Sequence, residues 1–373
     1  MDSPPINFDN RTVRAALGVA ISAGVPVILW GPPGEGKSRT VEAVAAALGR
    51  HSETVIGSIR EASDFTGLPE RSVDGVVLHA PRWAHRCAHA DRAVLFLDEL
   101  TTCSPPVQAA MLRVVLDREV GDLRLPGTVS IVAAANPPDL AADGYDLSPP
   151  LANRFCHLWF QADLREWSSG LLDGWATAAA MPEVPASQEC RLAWKRSVAD
   201  FLRARPSLFR QPDLDLQTGA GPWPSPRSWE MAAVLGASAD AVNADDDVVL
   251  ALTIGAVGAG AGIEFAAFRA HRAVVDCEEL LADPTARIPA TLEPDQVHAA
   301  LEALSVVVAS RSDDADAETV WGRAVEVALA AAEDHGDDVA AVAVGPLIRQ
   351  RQPGWVLPEG LRRFAAVLRS LSS

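Results

Sequence analysis

The chain has 373 residues, more than one compact core usually holds, so two or three domains are expected. Apolar residues make up 49% and charged residues 22%, which suits a soluble globular protein. The formal net charge of -17 argues against wholesale binding to nucleic acid, because that needs clustered positive charge to displace counterions.

Residues 11–23 show helical periodicity, and the short apolar run VPVILW (25–30) reads as a buried strand. After GPPGEGKS, residues 37–49 look like a helix ending near Gly49. Further strands fit 53–59, 93–98, 128–135 and 156–160, with helices over 82–91, 105–118 and about 148–153. Strands alternating with helices imply a parallel sheet covered on both faces. The stretch EVGDLRLPGT (119–128) has glycines where a hairpin would turn. Past about residue 165 the strand signal stops, and helical runs fit 188–204, 226–237, 246–256, 294–309, 316–333 and 358–371. The division expected is a nucleotide-binding core over 1–165, a helical lid over 166–270 and a helical extension over 271–373.

Gly31-Pro32-Pro33-Gly34-Glu35-Gly36-Lys37-Ser38 fits the phosphate-loop pattern G-x-x-x-x-G-K-[ST], and it lies between a strand and a helix as that loop must. Glycines let the backbone curl so that successive N–H groups face one anion, and the following helix adds its positive end. Lys37 would reach the β- and γ-phosphates of ATP and Ser38 would offer its hydroxyl to Mg²⁺, with Arg39 next in line on the helix. The run VLFLDE (94–99) is an apolar strand ending in two acids. A strand buried on both faces exposes polar groups only at its tip, and ligands bind at such carboxyl ends. Asp98 would hold Mg²⁺ through its water shell, and Glu99 would orient and deprotonate the attacking water. The plainer alternative for the acid pair is a helix N-cap.

With GPPGEGKS, VLFLDEL, AAANPP, Gly144-Tyr145 ahead of LSPPLANRF, and SPRSW in that order, the sequence resembles the MoxR branch of the AAA+ ATPases over about 10–160 and again at 225–229. The resemblance implies an AAA+ core with a helical lid and a Mg²⁺-dependent ATPase that remodels a protein partner. It also implies a sensor role for Asn136, an arginine finger at Arg154 that reaches a neighbouring subunit's ATP, and a second sensor at Arg227. A hexameric ring and a client bearing a von Willebrand factor A domain are implied in the same way. The string Leu100-Thr101-Thr102-Cys103 departs from the Ile-Asn-Arg that many MoxR relatives carry after the acid pair. Each arginine has a surface salt bridge as its alternative, and Asn136 has a simple Asn-Pro turn. At the level of function, the alternatives are a nucleotide-gated switch with little turnover and a nucleic-acid motor.

Five cysteines, Cys87, Cys103, Cys156, Cys190 and Cys277, are an odd number at wide spacing with no C-x-x-C pair. They suit reduced thiols in a cytoplasm better than a disulfide frame or a zinc ribbon. The opening MDSPPINFDN has no signal-peptide core. The longest apolar stretch, 248–263, contains four glycines and reads as a buried helix pair, not a membrane span. His79, His85 and His89 lie among arginines and read as a solvated face or a subunit contact. Asp245, Asp246 and Asp247 read as a helix start. Trp223 and Trp229 read as lid packing on either side of Arg227.

Overall fold

A computed structural model of the chain describes residues 7–364 apart from 74, 138–139, 141–143, 174–181, 211–220, 275–276, 313–315 and 357. It divides into two compact units, Met1–Lys195 with Ser207–Ile263, and Arg196–Pro206 with Glu264–Ser373.

The first unit is built on a five-stranded sheet in the order β2-β5-β8-β1-β9, in which every neighbouring pair is parallel. Its strands are β1 (Val27–Trp30), β2 (His51–Ile56), β5 (Ala93–Asp98), β8 (Val129–Ala135) and β9 (Cys156–Trp159). Every residue of β1 and β8 is buried, as expected of central strands covered on both faces. Trp30 is in register with Ala135 on one side and Trp159 on the other, and Ile56 with Asp98. The carboxyl ends of β1, β5 and β8 therefore finish at one edge of the sheet, and the residues that follow them meet there.

Helix α1 (Asn10–Ala23) precedes the first strand, and α2 (Lys37–Ala47), α3 (Ser63–Thr66), α4 (Arg82–His89), α5 (Pro105–Asp117) and α6 (Pro149–Ala152) lie between strands. Local chemistry fixes their ends. The Asp9 carboxylate accepts from the Thr12 amide at 2.7 Å to start α1, and left-handed Gly24 closes it. Proline sits in the first turn of α5, where its missing N–H costs nothing. The second strand ends earlier than the sequence pattern suggests, at Ile56 instead of residue 59, and Gly57–Ile59 form a 3-10 turn. The chain leaves the sheet at Gly57 because the backbone there packs directly on Cys103 and the Asp98 carbonyl.

Two antiparallel hairpins leave the sheet. The one expected at 119–128 is β6 (Glu119–Val120) with β7 (Leu123–Arg124). The other, β3 (Leu68–Ser72) with β4 (Gly75–His79), has no counterpart in the sequence reading, and nearly all its described residues are exposed.

Beyond β9 come α7 (Leu164–Asp173), α8 (Gln188–Ala204), α9 (Pro226–Ala241), α10 (Asp246–Val257) and α11 (Ala259–Val274). A reciprocal Ser225–Ser228 capping box starts α9, and Asp245 precedes α10 with Asp246 and Asp247 in its first turn. Helices α9 and α10 pack on α1, and α10 also packs on β9. The α10–β9 approach is so close that a β-carbon on Gly255 would lie 2.5 Å from the His157 carbonyl oxygen. The apolar stretch 248–263 is split between α10 and α11 at Gly258. No described helix is long and apolar enough to cross a membrane.

The second unit contains α12 (Cys277–Ala282), α13 (Pro294–Ser310), α14 (Ala317–His335) and α15 (Asp337–Arg349) around buried Leu304, Trp321 and Val325. The Trp321 indole donates to the Leu347 carbonyl at 2.7 Å. The Arg323 guanidinium donates to the carbonyls of Leu280, Asp283 and Ala286 and thereby ties the segment after α12 to α14. Glu359–Phe364 form a 3-10 turn where a helix over 358–371 was expected, and the remainder of that run lies outside the described residues.

His157 on β9 is fully buried, which holds its pKa down to about 4 from the ordinary 6.5 against a raising pull from the Ala152 carbonyl. Between those values the unfolded chain binds a proton that the folded chain refuses, so stability falls as pH drops through the window. From about pH 7 to about pH 4.5 the loss from this residue alone is about 2 kcal/mol at 1.36 kcal/mol per unit. Urea midpoints at the two pH values should show a shallower decline for His157→Phe than for the natural chain. Equal declines in the two proteins would contradict the burial argument.

Candidate functional site

The phosphate loop runs from the end of β1 into α2. Gly34 and Gly36 have φ of +84° and +90°, a region that side chains strongly disfavour, so the curl of the loop depends on glycine at these positions. Lys37 is 7% exposed, and its Nζ donates to the carbonyls of Gly31 (2.6 Å) and Pro32 (2.8 Å) and to Asn136 Oδ1 (2.8 Å). Burial pushes the Lys37 pKa below the usual ammonium value, while the charges of Asp98 and Glu35 pull it back up. The Glu35 carboxylate accepts from the Ala162 amide at 2.5 Å and so fastens the loop to the segment after β9. Arg39 is exposed and lies 3.6 Å from Glu42 on its own helix.

At the tip of β5 the Asp98 carboxylate accepts from the Ser38 hydroxyl at 2.7 Å. The hydroxyl and the carboxylate are hard oxygen donors side by side, the ligand type that Mg²⁺ takes, so Ser38 and Asp98 fit the metal that the loop implies. Glu99 has φ 59° and ψ 42°, the left-handed region, which is uncommon for a residue other than glycine. Hydrogen bonds at both its amide and its carbonyl hold it there. Its amide donates to Asp98 Oδ1 at 2.9 Å, and its carbonyl accepts from the Thr102 hydroxyl at 2.8 Å and the Cys103 thiol at 3.4 Å. The conformation turns an exposed carboxylate out of the strand at the tip of β5.

Asn136 follows β8. Lysine only donates, so the Asn136 oxygen faces Lys37 and its amide protons remain as donors. Its own carbonyl accepts from the Thr101 hydroxyl at 3.0 Å, which links the tips of β5 and β8. Lys37, Ser38, Asp98 and Asn136 thus lie together at the strand tips, with Glu99 next to Asp98.

The two arginines are brought to each other. Arg154 follows α6, and its guanidinium donates to the Pro150 carbonyl. Burial lowers its pKa, the charge of Arg227 lowers it further, and Asp117 opposes both. The Ser225 hydroxyl at the start of α9 donates to Asn153 Oδ1 at 2.9 Å, which seats the Arg227 turn on the Arg154 turn. Arg154 Nε and Asn153 Nδ2 are buried donors with no hydrogen-bond partner in the chain. Two like charges and two orphan donors thus lie in neighbouring turns.

Other singled-out residues have structural places. Trp223 is buried in the core that packs on the sheet, and the Trp229 indole donates to the Leu208 carbonyl at 2.9 Å. His79 pairs with Glu70 across the β3–β4 hairpin, and the His85 and His89 rings lie 6.0 Å apart on α4. Among the described residues no group of three or more His, Cys, Asp or Glu could hold a metal ion.

Ser58 escaped the sequence reading. It lies one residue past Gly57, and its hydroxyl donates to the Glu99 carboxylate. Its position between a strand end and a polar turn was the only local signal, since the partner is 41 residues away.

Residues 26–155 match the AAA domain family, dynein-related subfamily. An uncharacterised AAA domain-containing protein of Schizosaccharomyces pombe is 37% identical over 131 residues, 33% of this chain and 15% of that protein. The chain therefore spans a small part of that relative's length. A candidate ATPase of Cytophaga hutchinsonii superposes with a TM-score of 0.44 at 16% identity, covering 64% of this chain and 78% of that one. The matched segment holds the loop, Asp98, Glu99, Asn136 and Arg154, and the sheet has the AAA+ P-loop fold.

A β-carbon on Gly57 would fall 2.3 Å from Cys103 Sγ and 2.8 Å from Met111 Cε. Gly57→Ala should therefore cost about 1–3 kcal/mol of stability by overpacking and should also lower ATP turnover, because the displaced backbone touches Asp98. Ser58→Ala, at an exposed position, should leave the denaturant midpoint nearly unchanged and, where Glu99 serves as the base for ATP hydrolysis, lower turnover about tenfold by freeing that carboxylate. Wild-type phosphate release from Ser58→Ala would contradict that role for Ser58.

Proposed function

We propose that the chain is a Mg²⁺-dependent ATPase of the MoxR type that couples hydrolysis to remodelling of a protein partner. The convergence of Lys37, Ser38, Asp98, Glu99 and Asn136 at one edge of the sheet carries the reading. These groups match in kind and placement what phosphoryl transfer to water requires.

In this reading Lys37 exchanges its carbonyl partners for the β- and γ-phosphate oxygens, and the amides of 34–38 take the remaining phosphate charge. Ser38 and Asp98 would hold Mg²⁺, which when bound neutralises charge on the β- and γ-oxygens. Asn136 uses its amide protons to orient the attacking water, and Glu99 accepts that water's proton. The water oxygen forms a bond to the γ-phosphorus, the bond from that phosphorus to the β–γ bridging oxygen breaks, and ADP leaves with its electron pair. ADP and inorganic phosphate are the products.

Arg154 acts on the ATP of a neighbouring copy, and Arg227 touches the γ-phosphate from the helical lid. The support is their shared face, the like charge that each lends the other, and the orphan donors at Arg154 and Asn153. Such a cation at the γ-phosphate is worth roughly 10³–10⁵ in rate. A site completed by a neighbour favours a closed ring, which the MoxR resemblance puts at six subunits, and the same resemblance suggests a client with a von Willebrand factor A domain. The lid over 166–270 would move against the 1–165 core as ATP is turned over, and residues 271–373 would extend the surface open to partners.

Mixing inactive subunits tests the reading. Glu99→Gln and Arg154→Ala should each lower phosphate release at least about 100-fold alone, and together should recover a measurable share of activity, because one supplies the finger and the other the intact site. Wild-type rates in both variants would refute the mechanism, and inactive mixtures would refute the trans assignment.

A further inference from the structure

His157 lies outside the site yet touches both of its halves. The residue sits on β9 at 4% exposure, and both ring nitrogens are engaged. The Trp30 indole N–H donates to His157 Nδ1 at 2.9 Å. An indole nitrogen only donates, so Nδ1 must present its lone pair and the proton must sit on Nε2. That proton is donated to the Ala152 carbonyl at 2.9 Å. The ring is also stacked on Trp30, with centroids 6.0 Å apart and planes 17° from parallel, and Trp30 in turn stacks on Trp159.

The two partners occupy telling positions. Trp30 is the last residue of β1, directly before Gly31, whose carbonyl accepts from Lys37. Ala152 is the last residue of α6, two positions before Arg154. Packing alone would be met by a leucine or phenylalanine at 157, without the cost of burying a polar ring. A buried imidazole with one fixed tautomer instead fixes direction, because it accepts from one side and donates to the other. It closes the short turn 152–157 on which Arg154 is mounted and pins that turn to the strand that feeds the phosphate loop. The path from Lys37 through Gly31, Trp30, His157 and Ala152 to Arg154 is continuous in bonds and hydrogen bonds.

We propose that His157 is a positioning residue for hydrolysis, a tautomer-fixed bridge that holds the Arg154 turn in place against the strand ending in the phosphate loop. The proposal rests on the reading of Arg154 as a residue that acts on a neighbour's ATP. It places the consequence of losing His157 on the donor side of a subunit contact and leaves that subunit's own ATP site intact.

Subunit mixing separates the two sides. His157→Phe keeps a planar ring and removes both hydrogen bonds. Alone it should bind ATP within about twofold of the natural chain and turn over about 10–100-fold more slowly, the size expected of a misplaced group. Mixed with Glu99→Gln, whose finger is intact, it should regain activity. Mixed with Arg154→Ala, it should not, because neither subunit offers a competent finger. The reverse pattern, recovery with Arg154→Ala and none with Glu99→Gln, would locate the defect in the loop and overturn the proposal. Equal recovery with both, or undiminished turnover of His157→Phe alone, would also overturn it. If the Glu99→Gln and Arg154→Ala pair itself fails to recover, the trans reading falls and this proposal falls with it. Trp30→Phe leaves the imidazole but removes its donor, and should show the same asymmetry in weaker form. If His157→Phe does not fold, the Trp30→Phe mixtures decide between these outcomes by the same criteria.

Discussion

A buried ammonium imposes the central constraint. Lys37 is sequestered from water, and a charge so placed is costly unless its protons are satisfied. Here they meet two carbonyls of the loop itself and the side-chain oxygen of Asn136. The loop must therefore curl back on its own lysine, and the tip of β8 must arrive beside the tip of β1. The parallel sheet meets that demand by ending β1, β5 and β8 at one edge. Once Asn136 is there, the Thr101 hydroxyl ties it to the turn after Glu99, and Ser38 reaches Asp98. The site is a set of strand tips joined to one another by hydrogen bonds.

The parts of this arrangement that sequence makes legible are those with local grammar. GPPGEGKS between a strand and a helix, and two acids ending an apolar strand, each declare their chemistry within eight residues. The five sheet strands are legible for the same reason, since central parallel strands are short unbroken apolar runs. What stays hidden depends on distance along the chain or on exceptions to patterning. The β3–β4 hairpin exposes Leu68, Val76 and Val77 instead of burying one face, so alternation gives no signal. Ser58 meets Glu99 across 41 residues and Trp30 meets His157 across 127, and neither pairing leaves a mark at either end. The second strand runs past its true end in the sequence pattern because the close packing of Gly57 on Cys103 is a tertiary fact.

The sheet unit carries two regions of opposite chemical need. One is the loop edge, with amides and Lys37 facing a polyanion and two acids beside them. The other is the Arg154–Arg227 face, where the charge of Arg227 acts on Arg154, Asp117 opposes it, and Arg154 Nε and Asn153 Nδ2 are left without a partner. Under the proposed function each region supplies what the other lacks, which is why a single copy is an incomplete catalyst in that account. The helical unit around Trp321 has its own core and its own polar fastenings, with Arg323 binding three carbonyls.

Because every part of the account depends on the Lys37 ammonium meeting a triphosphate, Lys37→Ala is the most direct test. Calorimetric titration with a non-hydrolysable ATP analogue and Mg²⁺ should show affinity about 100-fold weaker, or undetectable, in a protein whose thermal midpoint is not lowered, since a charge-assisted contact to phosphate is worth up to about 3 kcal/mol. Affinity retained within about twofold would contradict the account, because the loop would then be doing something other than gripping phosphate.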